Sequence, residues 1–312
     1  MYNQKLVEFI DVSKEFDNVV ALNKVNFKVT SGVYGLLGPN GAGKTTAINL
    51  ICGFIKPSFG MVRIFGLDPW IDRDVIFTKV SVMPDEITLP KDIPGYRVLL
   101  HEARLLDLSN PEKRVGEVSK ILGIDWALDR PVYSYSSGMY KRLLLSRVIL
   151  NPYSELIILD EPFSNIDIYT MLDFIDLIRQ LSKEGKSFII SSHIFPLISN
   201  LCDKYIFLDK GRVVFKGDFE RLKSQLNRIS YLVRIRGDSR NFLRYIKSSC
   251  RIDECEVVEE GIILHVRVDE KFIDCLVEIS RELGVDLLEV RIEPDLITQA
   301  FRKVISSEDT AQ

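Results

Sequence analysis

The sequence predicts an α/β chain in two parts. The first is a mostly parallel, helix-covered sheet with an antiparallel β edge and a helical insertion; the second is a smaller α+β unit of ferredoxin-like order. Three observations lead there. At 312 residues, 46% of them hydrophobic and 27% charged, the chain exceeds one average domain and can bury two cores. Up to about residue 215, short apolar runs alternate with stretches of helical spacing. Beyond that point the order changes to β-α-β-β-α-β.

Taken in order, residues 6–12 and 21–30 alternate as two strands, antiparallel at one side. Residues 32–37, Gly-Val-Tyr-Gly-Leu-Leu, lack charge throughout, as a strand covered on both faces must. Residues 80–83, 155–159, 187–191 and 205–208 repeat that character, and 211–215 close a hairpin. Between about 85 and 150 the strand signal stops, and 98–106, 111–122 and 139–150 carry helical spacing. This is the helical insertion of a first domain, residues 1–225. A helix near 218–226 leads into the second domain, 226–312. There the order is strand 230–236, helix 241–247, strands 254–259 and 261–269 around a glycine turn, helix 271–283, strand 286–292 and helix 294–304. The polar tail 306–312 is expected to fray.

Several classes are excluded by composition. A net charge of -3 argues against a strongly basic nucleic-acid binder. Cys52, Cys202, Cys250, Cys255 and Cys275 form no CxxC pair and no Cys/His cluster, so reduced thiols are expected, not a disulfide framework or a zinc site. The N-terminus lacks the apolar core of a signal peptide, and no run approaches the ~18 apolar residues of a spanning helix. The expectation is a soluble, intracellular chain without its own anchor.

The most specific chemistry lies in Gly38-Pro39-Asn40-Gly41-Ala42-Gly43-Lys44-Thr45, which fits GxxxxGK[ST] between a buried strand and a helical run. Glycines let the backbone curl so that successive N–H groups converge on phosphate oxygens, and the helix adds its positive end. Lys44 is expected to reach the β/γ-phosphates and the Thr45 hydroxyl to ligate Mg²⁺. From residue frequencies, a chance match in a chain of this length is roughly one in a hundred. Leu156-Ile157-Ile158-Leu159-Asp160-Glu161 supplies the other half: an apolar strand ending in two carboxylates at the carboxyl edge of the sheet. Asp160 would hold Mg²⁺ and Glu161 would orient or polarise an attacking water.

Those two motifs are shared by many enzymes. No NKxD guanine motif is present. Tyr135-Ser136-Ser137-Gly138-Met139 opens a helix about twenty residues before Asp160, and here the sequence resembles the ATP-binding cassette family, whose LSGGQ signature occupies that place. Ser137 and Met139 stand where the family has glycine and glutamine. The resemblance extends to Pro162-Phe163-Ser164-Asn165-Ile166-Asp167, similar to the family's EP-x-SxLD stretch, with Ser164 and Asp167 in the D-loop. It also extends to His193, similar to the switch histidine, and to Phe16, similar to the aromatic that stacks on adenine. His101 and His265 read as structural. After the strand 80–83, Pro84-Asp85-Glu86 replaces the usual glutamine. Asp85 could still serve Mg²⁺ but, when ionised, cannot donate an amide hydrogen bond. An acidic residue there resembles the drug- and lipid-type exporter branch, and the C-terminal residues resemble that branch's small accessory domain.

The resemblance, which spans about residues 4–220, implies a P-loop ATPase with ATP and Mg²⁺ as cofactors. It implies an ATP site formed by Phe16, Gly38–Thr45 and Thr46, with catalytic roles for Lys44, Glu161 and His193, and metal ligation by Thr45, Asp85 and Asp160. Ser136, Ser137 and Gly138 would cap ATP held by a second subunit, so a homodimer, or a heterodimer with another cassette, is implied. The implied function is the ATP-hydrolysing subunit of an exporter, working with separately encoded transmembrane permease subunits. The implied place is the inner face of the cell membrane, without a nucleic-acid partner. Two alternatives stay open on sequence: a soluble cassette ATPase acting on ribosomes or nucleic acid, and a regulatory cassette.

Overall fold

The computed structural model describes residues 5–195, 201–226, 228–250, 252–259, 261–267, 272–293 and 296–309. β1 (Val7–Phe16) and β2 (Val19–Val29) form a hairpin whose turn uses Asp17 at φ 46°. Alternation places Phe9 and Phe27 on the covered face, where their rings stack at 4.3 Å. β3 (Val33–Leu37) is buried at every residue, as expected for a central strand. α1 (Lys44–Ile51) follows it directly across the glycine-rich loop.

β4 (Phe59–Ile64) was not expected from the sequence. It pairs antiparallel with β1, giving a three-stranded sheet β2-β1-β4. Its signal is weak because Phe59, Gly60 and Met61 are exposed, and only Val62 and Ile64 show the alternation of a half-buried strand.

α2 (Arg73–Ile76) precedes β5 (Val80–Met83). Then comes the helical insertion: α3 (Gly95–Leu105), α4 (Pro111–Ile121) and α5 (Ser137–Leu150). β6 (Leu156–Leu159), α6 (Ile168–Lys183), β7 (Ser187–Ser192), β8 (Lys204–Asp209) and β9 (Arg212–Asp218) complete the first unit. The main sheet has the order β5-β6-β7-β3-β8-β9, with β5, β6, β7, β3 and β8 parallel. The ends of β3, β6 and β7 therefore lie side by side at one edge, where such sheets bind ligands.

The compact units are Met1–Gly217 and Asp218–Gln312, so α7 (Phe219–Lys223), expected at the end of the first domain, belongs to the second unit. That unit continues with β10 (Arg228–Arg236), α8 (Ser239–Ser249), β11 (Ile252–Val258), β12 (Gly261–Arg267), α9 (Phe272–Glu282), β13 (Asp286–Ile292) and α10 (Leu296–Asp309). Its sheet, β11-β12-β10-β13, is antiparallel throughout, with β12 and β10 at the centre, the ferredoxin-like order. Val233, Phe242, Ile246, Leu264 and Leu276 form its core.

Two expectations are corrected here. Cys250 and Cys275 form a disulfide that ties the end of α8 to α9 across 25 residues; the spacing shows no motif because the partners meet only when the two helices pack on one sheet face. Cys52, Cys202 and Cys255 are free. The expected frayed tail begins inside α10, which runs to Asp309; residues 310–312, like 294–295 and 268–271, lie outside the described residues.

Candidate functional site

The loop 38–45 is shaped by contact on both sides. Gly43, the N-cap of α1, has φ 101°, and a Cβ there would come within 2.6 Å of Leu22 Cδ2 and 2.7 Å of Ala21 O. A Cβ on Gly38 would meet Leu208 O at 2.3 Å. β2 and β8 thus hold the loop from below, and only glycine fits. No side chain caps α1, which leaves its first N–H groups to an anionic ligand. Pro39, Asn40 and Gly41 curl over the top, and Ala42 N donates to Pro39 O. Thr46, in the first turn of α1, has no neighbouring contact that assigns it a task.

Lys44 is 6% exposed and bends back over the loop, donating to Gly38 O at 2.9 Å and Pro39 O at 3.2 Å. Its Nζ also lies 3.5 Å from Glu161 Oε1. Glu161 Oε2 in turn is 3.0 Å from His193 Nδ1, so one carboxylate is held between the lysine and the histidine that follows β7. Lys44, Glu161 and His193, distant in sequence, are brought together by the neighbouring ends of β3, β6 and β7.

Asp160, at the end of β6, is 1% exposed. It accepts a hydrogen bond from the Ser191 hydroxyl, and the Thr45 side chain helps stabilise its charged form. Burial pushes its carboxyl above the ordinary range, the Ser191 bond offsets this in part, and the charges of Asp85 and Glu161 add to it. The Asp160 carboxylate and the Thr45 hydroxyl are hard oxygen donors of the kind a small divalent cation takes. Among the described residues no cluster of three or more His, Cys, Asp or Glu could hold a metal ion on its own; a cation here would need further oxygens, as a triphosphate supplies.

Asp85 is half-exposed at the rim, 3.9 Å from Lys141 Nζ. Phe16 ends β1 as a residue 43% exposed, with Lys14 Nζ 4.7 Å from its ring centroid, an open aromatic beside the loop's supporting strand. His265 belongs to the second unit, where its Nδ1 lies 2.8 Å from Ser230 Oγ.

The signature segment stands apart. Ser136 caps α5, its Oγ accepting from Met139 N at 3.3 Å. Ser136 and Ser137 are exposed, while Gly138 is buried where a Cβ would meet Asp167 Oδ2 and Thr170 Oγ1 at 3.2 Å. Asp167 caps α6, accepting from Thr170 N at 3.0 Å and from its hydroxyl at 2.7 Å, bonds that hold its carboxyl below the usual range. Ser164 Oγ donates to Glu161 O at 2.8 Å. These residues contact α5, α6 and the Glu161 turn; none of their bonds reaches loop 38–45.

Two residues went unread in the sequence. Ser191 serves both carboxylate positions, donating to Asp160 and accepting from Glu161 N at 2.9 Å; the serine pair ending an otherwise apolar strand was its signal. Lys141 is 9% exposed within an α5 lined by Leu143, Leu144 and Leu145, and burial lowers its pKa against the pull of Asp85, Glu161 and Asp160.

Comparison with known proteins agrees with this geometry. Residues 22–164 match the family model described as ABC transporter. The bacitracin transport ATP-binding protein BcrA of Bacillus licheniformis is 29% identical over 96% of this chain and 97% of its own length. The daunorubicin/doxorubicin resistance ATP-binding protein DrrA of Streptomyces peucetius is 28% identical over 92% of this chain and 87% of its own. The ABC transporter ATP-binding protein NatA of Bacillus subtilis (strain 168) is 30% identical over 70% of this chain and 91% of its own. A solved ATP-binding subunit of an ABC transporter superposes with TM-score 0.66 at 25% identity, covering 70% of this chain and 92% of that one. Among the described residues no helix is long and apolar enough to cross a membrane. With its phosphate loop, its paired carboxylates and these relatives, the chain belongs to the ATP-binding, ATP-hydrolysing proteins of the ABC transporters.

Proposed function

We propose that this chain powers an exporter whose membrane-spanning subunits are encoded separately, and that it does so as an ATP-dependent dimer. The observation that carries the catalytic part is the Glu161 carboxylate held between Lys44 at 3.5 Å and His193 at 3.0 Å, beside an uncapped helix start. In this reading Gly38–Thr45 wraps the triphosphate, Lys44 moves from Glu161 to the β/γ-phosphates, and Thr46 adds a hydroxyl at the α1 start. Phe16 supports the adenine. Mg²⁺, held by Asp160 and Thr45 with Asp85 at the rim, would offset phosphate charge. Glu161 accepts a proton from water, the water oxygen bonds to the γ-phosphorus, and the bond from that phosphorus to the β–γ bridging oxygen breaks, giving ADP and phosphate. His193 donates a hydrogen bond toward the γ-phosphate.

Ser136, Ser137 and Gly138 face a second copy's triphosphate, with Ser164 and Asp167 beside them; the exposure of Ser136 and Ser137 supports this. A cavity of about 320 Å³ between the helical insertion and β5, lined by Met83, Pro84, Ile87 and the Glu102–Arg147 ion pair, would receive a permease segment. Export is supported by BcrA and DrrA, which match through both units. Attachment to the permease would place the chain at the inner face of the membrane, and nothing in its charge favours nucleic acid. The test is to capture Glu161→Gln protein with ATP from gently solubilised membranes. Co-purification of a polytopic membrane protein is expected; recovery of ribosomes or nucleic acid instead would overturn the transport reading.

A further inference from the structure

Lys141 sits on the fifth residue of α5, deep enough that its ammonium group must be matched by acceptors. An ammonium has three donors, and three neighbours meet it: Glu161 O at 3.3 Å, Ser164 Oγ at 3.3 Å and the Asp85 carboxylate at 3.9 Å. Lys141 and Ser164 converge on one carbonyl, because Ser164 Oγ also donates to Glu161 O at 2.8 Å.

Glu161 needs such a hold. Its φ of 46° lies in the left-handed region, disfavoured for a residue with a Cβ, and its peptide groups must be fixed for it to stay there. Ser191 Oγ fixes its N–H at 2.9 Å, and Lys141 with Ser164 fixes its C=O. With the backbone clamped on both sides, the side chain starts from a fixed Cα, and its carboxylate lies between Lys44 and His193. The same helix holds the Asp85 segment, since Tyr140 donates to Ile87 O at 2.6 Å and accepts from Leu89 N at 3.1 Å.

We propose that Lys141 is a positioning residue for hydrolysis: from the signature helix it holds the left-handed peptide of Glu161, and through Asp85 it ties that peptide to the segment following β5. This rests on the reading of Glu161 as the group that activates water. Lys141 touches no substrate; its effect falls on the direction of the Glu161 carboxylate, hence on turnover rather than on nucleotide affinity.

The experiment uses the purified full chain with Mg-ATP and compares wild type, Glu161→Gln, Lys141→Met, Lys141→Gln and Lys141→Arg in steady-state hydrolysis and ATP binding. Lys141→Met is expected to lose about tenfold in kcat while KM and ATP affinity stay within about twofold. Lys141→Arg, which keeps a buried cation with donors, is expected to recover most of that loss. Should melting curves show that Lys141→Met does not fold, Lys141→Gln is read in its place. Unchanged kcat in the neutral variant, a loss carried by KM, or Lys141→Arg no better than the neutral variant would each overturn the proposal. Turnover that survives in Glu161→Gln would instead overturn the role of Glu161 itself, whatever the lysine variants do.

Discussion

Two helix starts in this chain are built from serine, glycine and small residues, and they end in opposite states. At α1 the cap is Gly43 in a left-handed conformation, no side chain satisfies the first turn, and the lysine that follows is buried over the loop. At α5 the cap is Ser136, whose own Oγ serves Met139 N, and the two leading serines stand exposed. A first turn without a side-chain cap, beside Lys44 and Glu161, has N–H groups that suit an anion. One that is capped and turned outward is complete without a ligand and has its charge-seeking end free for another molecule. On the proposed reading, one chain carries a whole phosphate cradle and half of a different one.

Removing the cradle's cation has the greatest consequence. Lys44→Ala should lower ATP hydrolysis by about a hundredfold or more, since water cannot replace a cation that offsets the phosphate charge of the transition state; a phosphate-release assay reads it. Gly43→Ala strikes the same helix start through the backbone. A Cβ 2.6 Å from Leu22 Cδ2, at φ 101°, should cost about 2–3 kcal/mol of stability, read by denaturant unfolding. The corresponding change at α5 is milder. Ser136→Ala removes only a cap bond, about 1 kcal/mol, and should leave ATP binding to the monomer intact. If the two changes cost the same, the contrast between the helix starts is wrong.

Asp160→Asn bears on the cradle's charge, with a smaller effect of defined sign. Burial raises the folded-state pKa of Asp160, so this group favours the fold below the ordinary carboxylate range and loses that contribution as pH rises through its raised value. The amide does not titrate. The variant should therefore melt higher than wild type at neutral pH in the absence of nucleotide, and the gain should vanish in acid; a melting series over pH checks it.

The cradle was legible in the sequence because its spacing is local: eight consecutive residues, then a strand ending in two acids. The central strands themselves were legible for the same reason, each being an unbroken apolar run, though not their order in the sheet. What was missed is held by distance or by exposure. β4 hides behind an exposed Phe59-Gly60-Met61 start. Ser191 and Lys141 become site residues only because β7 lies beside β6 and α5 packs under the Glu161 turn. The Cys250–Cys275 bond similarly depends on α8 and α9 sharing a sheet face. The exposed start of α5 can be located from sequence by its serines, but the second copy proposed to meet it cannot.

The central claim, that α5 completes the phosphate site of a second copy, is tested by gel filtration of Glu161→Gln protein with ATP, alone and combined with Ser136→Glu. The added carboxylate sits at an exposed position, where it would cost the fold no more than the cap bond, about 1 kcal/mol, and repel a triphosphate presented by the partner. The account predicts a dimer for Glu161→Gln and a monomer that still binds ATP for the double variant. A Glu161→Gln chain that binds ATP yet stays monomeric, or a dimer indifferent to Ser136→Glu, would contradict it.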